Sequence, residues 1–364
     1  MKHVLRMAAA LTLAGPLAAV GHAQSADPRI AEAVQILPAD LRAGATVVTY
    51  DATTGERKVL RQGTNFIECQ PVMADGFARC YNKALASRRD LEARLKAEKK
   101  SDKDIQDAVA AAVKSGAIKP PAPGMMSYRG YDKRDRIKNL WVMSLPGATP
   151  EAVGVSTTSQ RDAALEGKGL PWMMLPGTPG AHIMIPINPA VKATTVTDEA
   201  SDPIAQATLP LPDDLRAGAT VYTYDEATGA RKVLRPGTNA IECTPRSPAD
   251  GFTWCYNKVT AARRDLQAKL RAEKKSDKEI QAAVEAATKD GTIKPTPFGT
   301  MSYRLYGKKD RIQLLWVLSV PGATPESIAV SEGSQRDEAL KGQGVPWLML
   351  PGTPGAHIMI PINK

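Results

Sequence analysis

The chain carries an internal duplication, because residues 27 to 188 recur as residues 202 to 363 with most aligned positions identical. The string PGTPGAHIMIPIN ends both copies, and one residue is inserted in the second copy between its two cysteines. A unit of about 160 residues is long enough to bury its own core, so the pattern indicates a duplicated domain rather than a short solenoid repeat. We expect two separate repeat domains at 24–188 and 202–364, joined by an exposed linker at 189–201. The sequence leaves open whether the two domains touch.

The first 23 residues have the pattern of a secretory signal peptide. Lys2 and Arg6 precede the apolar stretch 7–20, and small residues at 21 and 23 predict cleavage before Gln24. No later segment is long and apolar enough to span a bilayer. We therefore expect a periplasmic or secreted protein with no transmembrane segment after cleavage.

The formal net charge is +10, and the leader accounts for two of these positive charges. An exported basic protein suits an anionic envelope or extracellular partner, and export argues against nucleic acid. Solubility alone also accounts for the charge.

Each copy shows strand patterns first, then two helices, then strands again. Leu91 and Leu95 share one helix face, and Ser101-x-x-Asp104 is a capping-box pattern that begins a second helix. Short β-branched or apolar runs predict strands at 45–51, 58–61, 66–69, 125–131, 139–145 and around PWMML and AHIMIPI. The predicted class is α+β, with a mainly antiparallel sheet and a helical hairpin in each of two homologous domains.

The four cysteines divide evenly between the copies. Cys69 and Cys80 belong to the first, and Cys243 and Cys255 to the second. An even count in an exported chain favours disulfides, and the duplication favours one bridge inside each copy. The inserted residue supports this interpretation, because a disulfide loop tolerates an insertion that metal ligands at fixed spacing usually do not.

Outside the leader the chain has two histidines, His182 and His357, at equivalent positions. A hairpin centred on Thr178 would place Met174 opposite His182 and Trp172 opposite Met184 on one face of the sheet. The candidate metal residues are Trp172, Met174, His182 and Met184 with their equivalents Trp347, Met349, His357 and Met359.

Thioether and imidazole groups form a soft ligand set suited to Cu(I) or Ag(I), and a Trp ring adds a cation–π contact. The set resembles the His/Met/Trp site of small periplasmic copper-binding proteins in residue types, although its order and spacing differ. The alternative is that these side chains belong to the core, where Met, Trp and Ile in strands ordinarily lie.

Catalysis has weaker support in the sequence. There is no GxSxG elbow, so a hydrolase would need His182 or His357 as a general base with a partner such as Ser127 or Asp162. The pattern therefore favours a non-enzymatic tandem module for binding or structure, without a catalytic residue or a resident cofactor other than copper. Soft-metal binding and hydrolysis are the alternatives.

Several motifs of the first copy resemble a loose family of uncharacterised bacterial secreted proteins. They are the run Leu60 to Asn65, Cys69, Cys80, Trp172 and the segment from Pro176 to Pro186, all of which recur in the second copy. Members of that family usually carry one such unit. The resemblance implies export and a shared fold, and it transfers no functional site.

The disulfide interpretation predicts that a free-thiol assay on the unfolded, non-reduced protein finds no reactive thiol. The same assay after reduction serves as the control and should find all four cysteines. Four thiols before reduction would contradict the interpretation.

Overall fold

The architecture is taken from a computed structural model, which describes residues 27–73, 76–131, 135–187, 202–247, 251–307 and 310–362. The predicted signal peptide and linker lie outside these ranges. No helix within them is long and apolar enough to cross a membrane.

The first repeat has eight strands, six α-helices and one 3-10 helix (Lys83–Leu85) among its described residues. The strands are β1 (Thr46–Tyr50), β2 (Arg57–Arg61), β3 (Ile67–Gln70), β4 (Phe77–Asn82), β5 (Met126–Tyr131), β6 (Asn139–Ser144), β7 (Trp172–Met174) and β8 (His182–Pro186). The helices are α1 (Pro28–Val34), α2 (Ala39–Arg42), α3 (Ala86–Ala97), α4 (Asp102–Lys114), α5 (Pro150–Val153) and α6 (Arg161–Leu165).

The second repeat reproduces this order. Its strands are β9 (Thr220–Tyr224), β10 (Arg231–Arg235), β11 (Ile241–Thr244), β12 (Phe252–Asn257), β13 (Met301–Tyr306), β14 (Leu314–Ser319), β15 (Trp347–Met349) and β16 (His357–Pro361). Its helices are α7 (Pro203–Thr208), α8 (Asp213–Arg216), α9 (Ala261–Ala272), α10 (Asp277–Lys289), α11 (Pro325–Ile328) and α12 (Arg336–Leu340).

Each repeat builds one eight-stranded sheet, with the order β2-β1-β3-β4-β5-β6-β8-β7 in the first and the matching order in the second. The first sheet is antiparallel except where β1 pairs with β3 in parallel, and the second has its parallel pair between β9 and β11. Helices α3 and α4 form the predicted helical hairpin, and Ser101 and Asp104 make the predicted capping box. The predicted α+β class is therefore confirmed.

The predicted disulfides are also confirmed, as Cys69–Cys80 and Cys243–Cys255. In each repeat the two cysteines are direct cross-strand partners, on β3 and β4 or on β11 and β12. The register around the bridge is the same in both copies, although the second loop is one residue longer. The insertion therefore lies in the connecting loop and leaves the strand pairing unchanged.

The two faces of each sheet have different environments. On the inner face, Cys80, Tyr128, Trp141 and Ile185 are buried in the main hydrophobic core together with residues of α1. The outer face carries α3, whose Arg89 lies over the ring of Tyr81, and a smaller apolar cluster around α6. This division follows the two-residue period of the strands.

The inner faces of the two repeats pack against each other. A single core contains Tyr128, Trp141 and Ile185 of the first repeat and Tyr303, Trp316 and Ile360 of the second. The two repeats are therefore not independent domains. The physical reason is that a seven-residue helix such as α1 covers only part of an eight-stranded sheet, so the remaining apolar face requires another cover.

Equivalent polar contacts cross the junction in both directions. The buried hydroxyl of Tyr128 donates to the carbonyl oxygen of Ala329, and that of Tyr303 donates to the carbonyl oxygen of Gly154. The two acceptors are equivalent residues, and both have left-handed backbone conformations at helix ends. Each contact thus appears twice with its partners exchanged, as at the isologous interface of a two-fold symmetric dimer.

Two further contacts have the same symmetry. Ser156 Oγ donates to Asp214 Oδ2 at 2.5 Å, and Ser331 Oγ donates to Asp40 Oδ2. Asn82 Nδ2 donates to Glu326 O at 2.5 Å, while Asn257 Nδ2 donates to Glu151 O at 2.7 Å.

Some elements were not predicted from the sequence. The sequence pattern did not indicate helices α1 and α2 or strand β4. Strand β4 was obscured because its outer-face side chains include the polar residue Arg79, which broke the apolar run.

Because the two repeats share one core, replacing either junction tyrosine should destabilise both repeats together. Tyr128→Phe removes the donor to the buried Ala329 carbonyl and should lower the free energy of unfolding by about 1–3 kcal/mol. Tyr303→Phe should have a similar effect, and denaturant unfolding of the disulfide-intact protein should remain one transition.

The matched control is Tyr306→Phe on β13, whose half-buried ring lies outside the main core. It should change stability by less than either junction variant. Two separate transitions, with Tyr128→Phe affecting one of them alone, would contradict a shared core.

Candidate functional site

The terminal hairpins have the register that the sequence predicts. Met174 is the cross-strand partner of His182 and Trp172 that of Met184; Met349 pairs with His357 and Trp347 with Met359. Residues alternate between faces along a strand, so each set of four lies on the outer face. Met173 and Ile183, which face the other way, belong to the main core.

The loop of the first hairpin is held by hydrogen bonds within the fold. Leu175 has a left-handed backbone with φ of 51°, which is unusual for a residue with a side chain. Its carbonyl oxygen accepts from Thr178 Oγ1 at 2.8 Å, and the same hydroxyl accepts from Gly180 N at 3.2 Å. Gly177 N also donates to Ala148 O at 2.8 Å, which anchors the loop to the segment before α5. These bonds fix the position of the Gly180 carbonyl group.

The Gly180 carbonyl in turn determines the state of His182. Nδ1 of His182 lies 2.7 Å from Gly180 O, and Nδ1 of His357 lies 2.8 Å from Gly355 O. A carbonyl oxygen only accepts, so Nδ1 carries the proton and Nε2 of the neutral ring keeps its lone pair. Metal-binding histidines usually have one ring nitrogen held by such an acceptor.

Burial keeps both imidazoles neutral. Desolvation lowers the pKa of His182 below its usual 6.5, and the charge of Arg129 lowers it further, while the bond to Gly180 acts in the opposite direction. The pKa of His357 is lowered in the same way, with Arg304 in the place of Arg129. A neutral imidazole has a free lone pair for a ligand at physiological pH.

The four outer-face residues differ in exposure. Trp172 is 2 % exposed and packs with Ile137, Leu140 and Ala164, while Met184 lies against this group. Met174 is 38 % exposed, and His182 is half-buried. In each set the Trp side chain is buried, and the accessible donors are the thioether of Met174 or Met349 and the imidazole of the paired histidine.

The proposed catalytic partners are not bonded to the histidines. Ser127 Oγ donates to Val142 O at 3.4 Å, and Asp162 is exposed and pairs with Arg161. Sequence reasoning missed Ser144, which is the partner of His182 on the other side of β8 and has the equivalent Ser319 beside His357. The strand pattern at 139–145 contained this residue, but its pairing with β8 was not predictable from spacing alone.

Within the described part of the chain, no three His, Cys, Asp or Glu side chains come together as a metal site. The candidate set is of a different kind, since its donors are one imidazole and two thioethers.

The turn at residues 61–65, which offers a charge and backbone donors to an anion, is occupied within the fold. Arg61 Nη2 donates to Arg42 O at 2.6 Å and to Ala45 O at 2.8 Å. Asn65 Nδ2 donates to Leu41 O at 2.8 Å, and Gly63 N donates to Thr46 Oγ1 at 3.1 Å. This turn therefore has a structural role.

No protein-family model, curated protein or solved structure matches the chain. The resemblance to bacterial secreted proteins stays a prediction.

The lowered pKa values predict how stability depends on pH. The unfolded chain binds more protons than the folded one once the pH falls below about 6.5, so the free energy of unfolding should decline there. Replacing His182 and His357 with Gln should remove this part of the decline. In an NMR titration of the mature chain, both imidazole resonances should give a pKa below 6.5, and a value at or above 6.5 would contradict the account.

Proposed function

We propose that the protein is an exported, non-enzymatic binding module with two equivalent sites for a soft monovalent metal ion, Cu(I) or Ag(I). The first site consists of Met174, His182 and Met184 over the ring of Trp172, and the second consists of the equivalent residues of the second repeat. The observation that carries the proposal is the pairing of Met174 with an imidazole whose Nδ1 is held by Gly180 O.

The donor set matches the ion. Thioether sulfur and neutral imidazole nitrogen are soft or borderline ligands, which favour Cu(I) over hard divalent cations. All three donors are uncharged, so the ion would add a positive charge to a half-apolar site that has Arg129 nearby. The adjacent ring of Trp172 can stabilise that charge by a cation–π contact.

The loop supports binding because it arranges the imidazole before an ion arrives. The bonds from Thr178 and Gly177 fix the Gly180 carbonyl, and that carbonyl orients the ring of His182. A site arranged in advance loses less conformational entropy when the ligand binds. The same loop bonds recur in the second repeat, through Thr353 and Gly352.

Binding has better support than hydrolysis. A histidine that acts as a general base beside a nucleophile is commonly oriented by a carboxylate, whereas Nδ1 of His182 faces a backbone carbonyl. Ser144 on β6 is the cross-strand partner of His182, and its presence beside a metal ligand does not require a catalytic role. The two disulfides agree with an oxidising compartment, which is where an exported module would work.

The proposal predicts that the mature, disulfide-intact protein binds two Cu(I) ions per chain. An anaerobic titration against a Cu(I) chelator of matched affinity, followed by Trp fluorescence, should show quenching that ends at two equivalents. The combination of His182→Ala with His357→Ala should abolish tight binding, and His182→Ala alone should leave one equivalent.

The chain offers a matched control for the thioethers. Met173→Leu removes a methionine one residue from the site, on the inner face, and the second repeat already has Leu348 at this position. This variant should bind two ions like the parent, whereas Met174→Leu should weaken the first site. Equal affinities in the two variants, or a parent protein that binds no Cu(I), would refute the proposal.

A further inference from the structure

Two arginines face each other on the outer side of the first sheet. Arg79 on β4 is the direct cross-strand partner of Arg129 on β5. Like charges at directly opposite positions destabilise a sheet unless something compensates them. The pair therefore requires an explanation.

A third arginine reaches the same area from α3. Arg89 lies over the ring of Tyr81 at 5.1 Å, and Tyr81 is two residues along the strand from Arg79, on the same face. Glu92 accepts from Arg89 at 2.7 Å, but it also accepts from Arg88 at 2.9 Å. The Glu92 carboxylate is thus already shared between Arg88 and Arg89, and it does not balance the additional charges of Arg79 and Arg129.

Two of these three guanidinium groups are incompletely bonded. Arg79 lies over the ring of Phe77 at 4.7 Å, and Arg129 has a hydrogen bond with Tyr131. Within the described residues, the buried Nε atoms of Arg79 and Arg89 have no hydrogen-bond partner. Burial and the charge of Arg89 lower the pKa of Arg79 to about 10, and burial lowers the pKa of Arg129. Partly buried cations without matching anions are unfavourable, so the group has unused capacity for negative charge.

In the second repeat, the arginines at the equivalent positions have other partners. Trp254 replaces Arg79, and Arg304, the equivalent of Arg129, lies 4.6 Å from the Trp254 ring. Arg264, the equivalent of Arg89, donates to Tyr222 Oη at 2.9 Å and to Glu242 at 3.3 Å. Nε of Arg304 also lacks a bonded partner, but its guanidinium has an aromatic face beside it instead of a second cation.

We propose that Arg79, Arg89 and Arg129 form a binding site for a tetrahedral oxyanion, phosphate or sulfate, which the first repeat has and the second lacks. Guanidinium groups present paired N–H donors that fit such oxygens. An anion with more than one negative charge and several acceptor oxygens can bridge three cations, which a single carboxylate does less well. The site shares no residue with the metal donors, although the charge of Arg129 also acts on His182.

The test is isothermal titration calorimetry of the mature protein with inorganic phosphate, at an ionic strength kept constant with chloride. The expected stoichiometry is one phosphate per chain, in contrast to two Cu(I) ions. Arg79→Trp gives the first repeat the residue that the second repeat accommodates, and it should weaken binding on the order of tenfold or more. Arg129→Gln is a second, independent variant with the same expected effect.

The matched control is Arg304→Gln, which removes the same charge from the same strand position of the second repeat. It should leave phosphate affinity unchanged. A parent protein that binds no phosphate, or an Arg79→Trp variant that binds as tightly as the parent, would overturn the proposal, and neither result would bear on Cu(I) binding.

A parallel titration with a hexose 6-phosphate distinguishes two sources of the oxyanion. Tighter binding of inorganic phosphate would identify a free ion as the ligand, and tighter binding of the ester would identify a phosphorylated sugar. Binding of neither compound would reject both.

Discussion

The buried inner faces of the two sheets determine how the whole chain is organised. Each face is apolar across most of its strands, α1 or α7 covers a part of it, and the other repeat covers the rest. The hydroxyls of Tyr128 and Tyr303 are buried in this contact, and each satisfies a carbonyl at the end of a short helix of the opposite repeat. Unpaired, these groups would destabilise the fold, so apolar cover and hydrogen bonds act together.

This constraint assigns different roles to the two faces of each sheet. The inner face carries the disulfide and the junction. The outer face is not needed for the junction, so it can hold groups that are poor core residues, such as His182, Met174 and the arginines around Arg79. The repeats differ on both faces: Gly130 corresponds to Leu305 on the inner face, and Arg79 corresponds to Trp254 on the outer face. The symmetric contacts have the form of a two-fold dimer whose subunits are joined in one chain.

The parts of the structure that depend on local pattern were predictable from the sequence. The hairpin register followed from strand alternation and a turn centred on Thr178, and the capping box at Ser101 marked α4. The junction was not predictable, because alternation shows which residues share a face with Tyr128 but not which surface packs against that face. The arginine group was missed because Arg79, Arg89 and Arg129 come from three elements, one of which, β4, has no continuous apolar run.

The metal account rests on donors that differ chemically from those of ordinary surface sites, so their identity can be measured directly. X-ray absorption spectroscopy of the protein loaded with two Cu(I) per chain reports the atoms bound to the ion. The account predicts a shell of two sulfur atoms and one imidazole nitrogen, with the imidazole signal lost when His182 and His357 are replaced. A shell of oxygen and nitrogen alone, without sulfur, would contradict it.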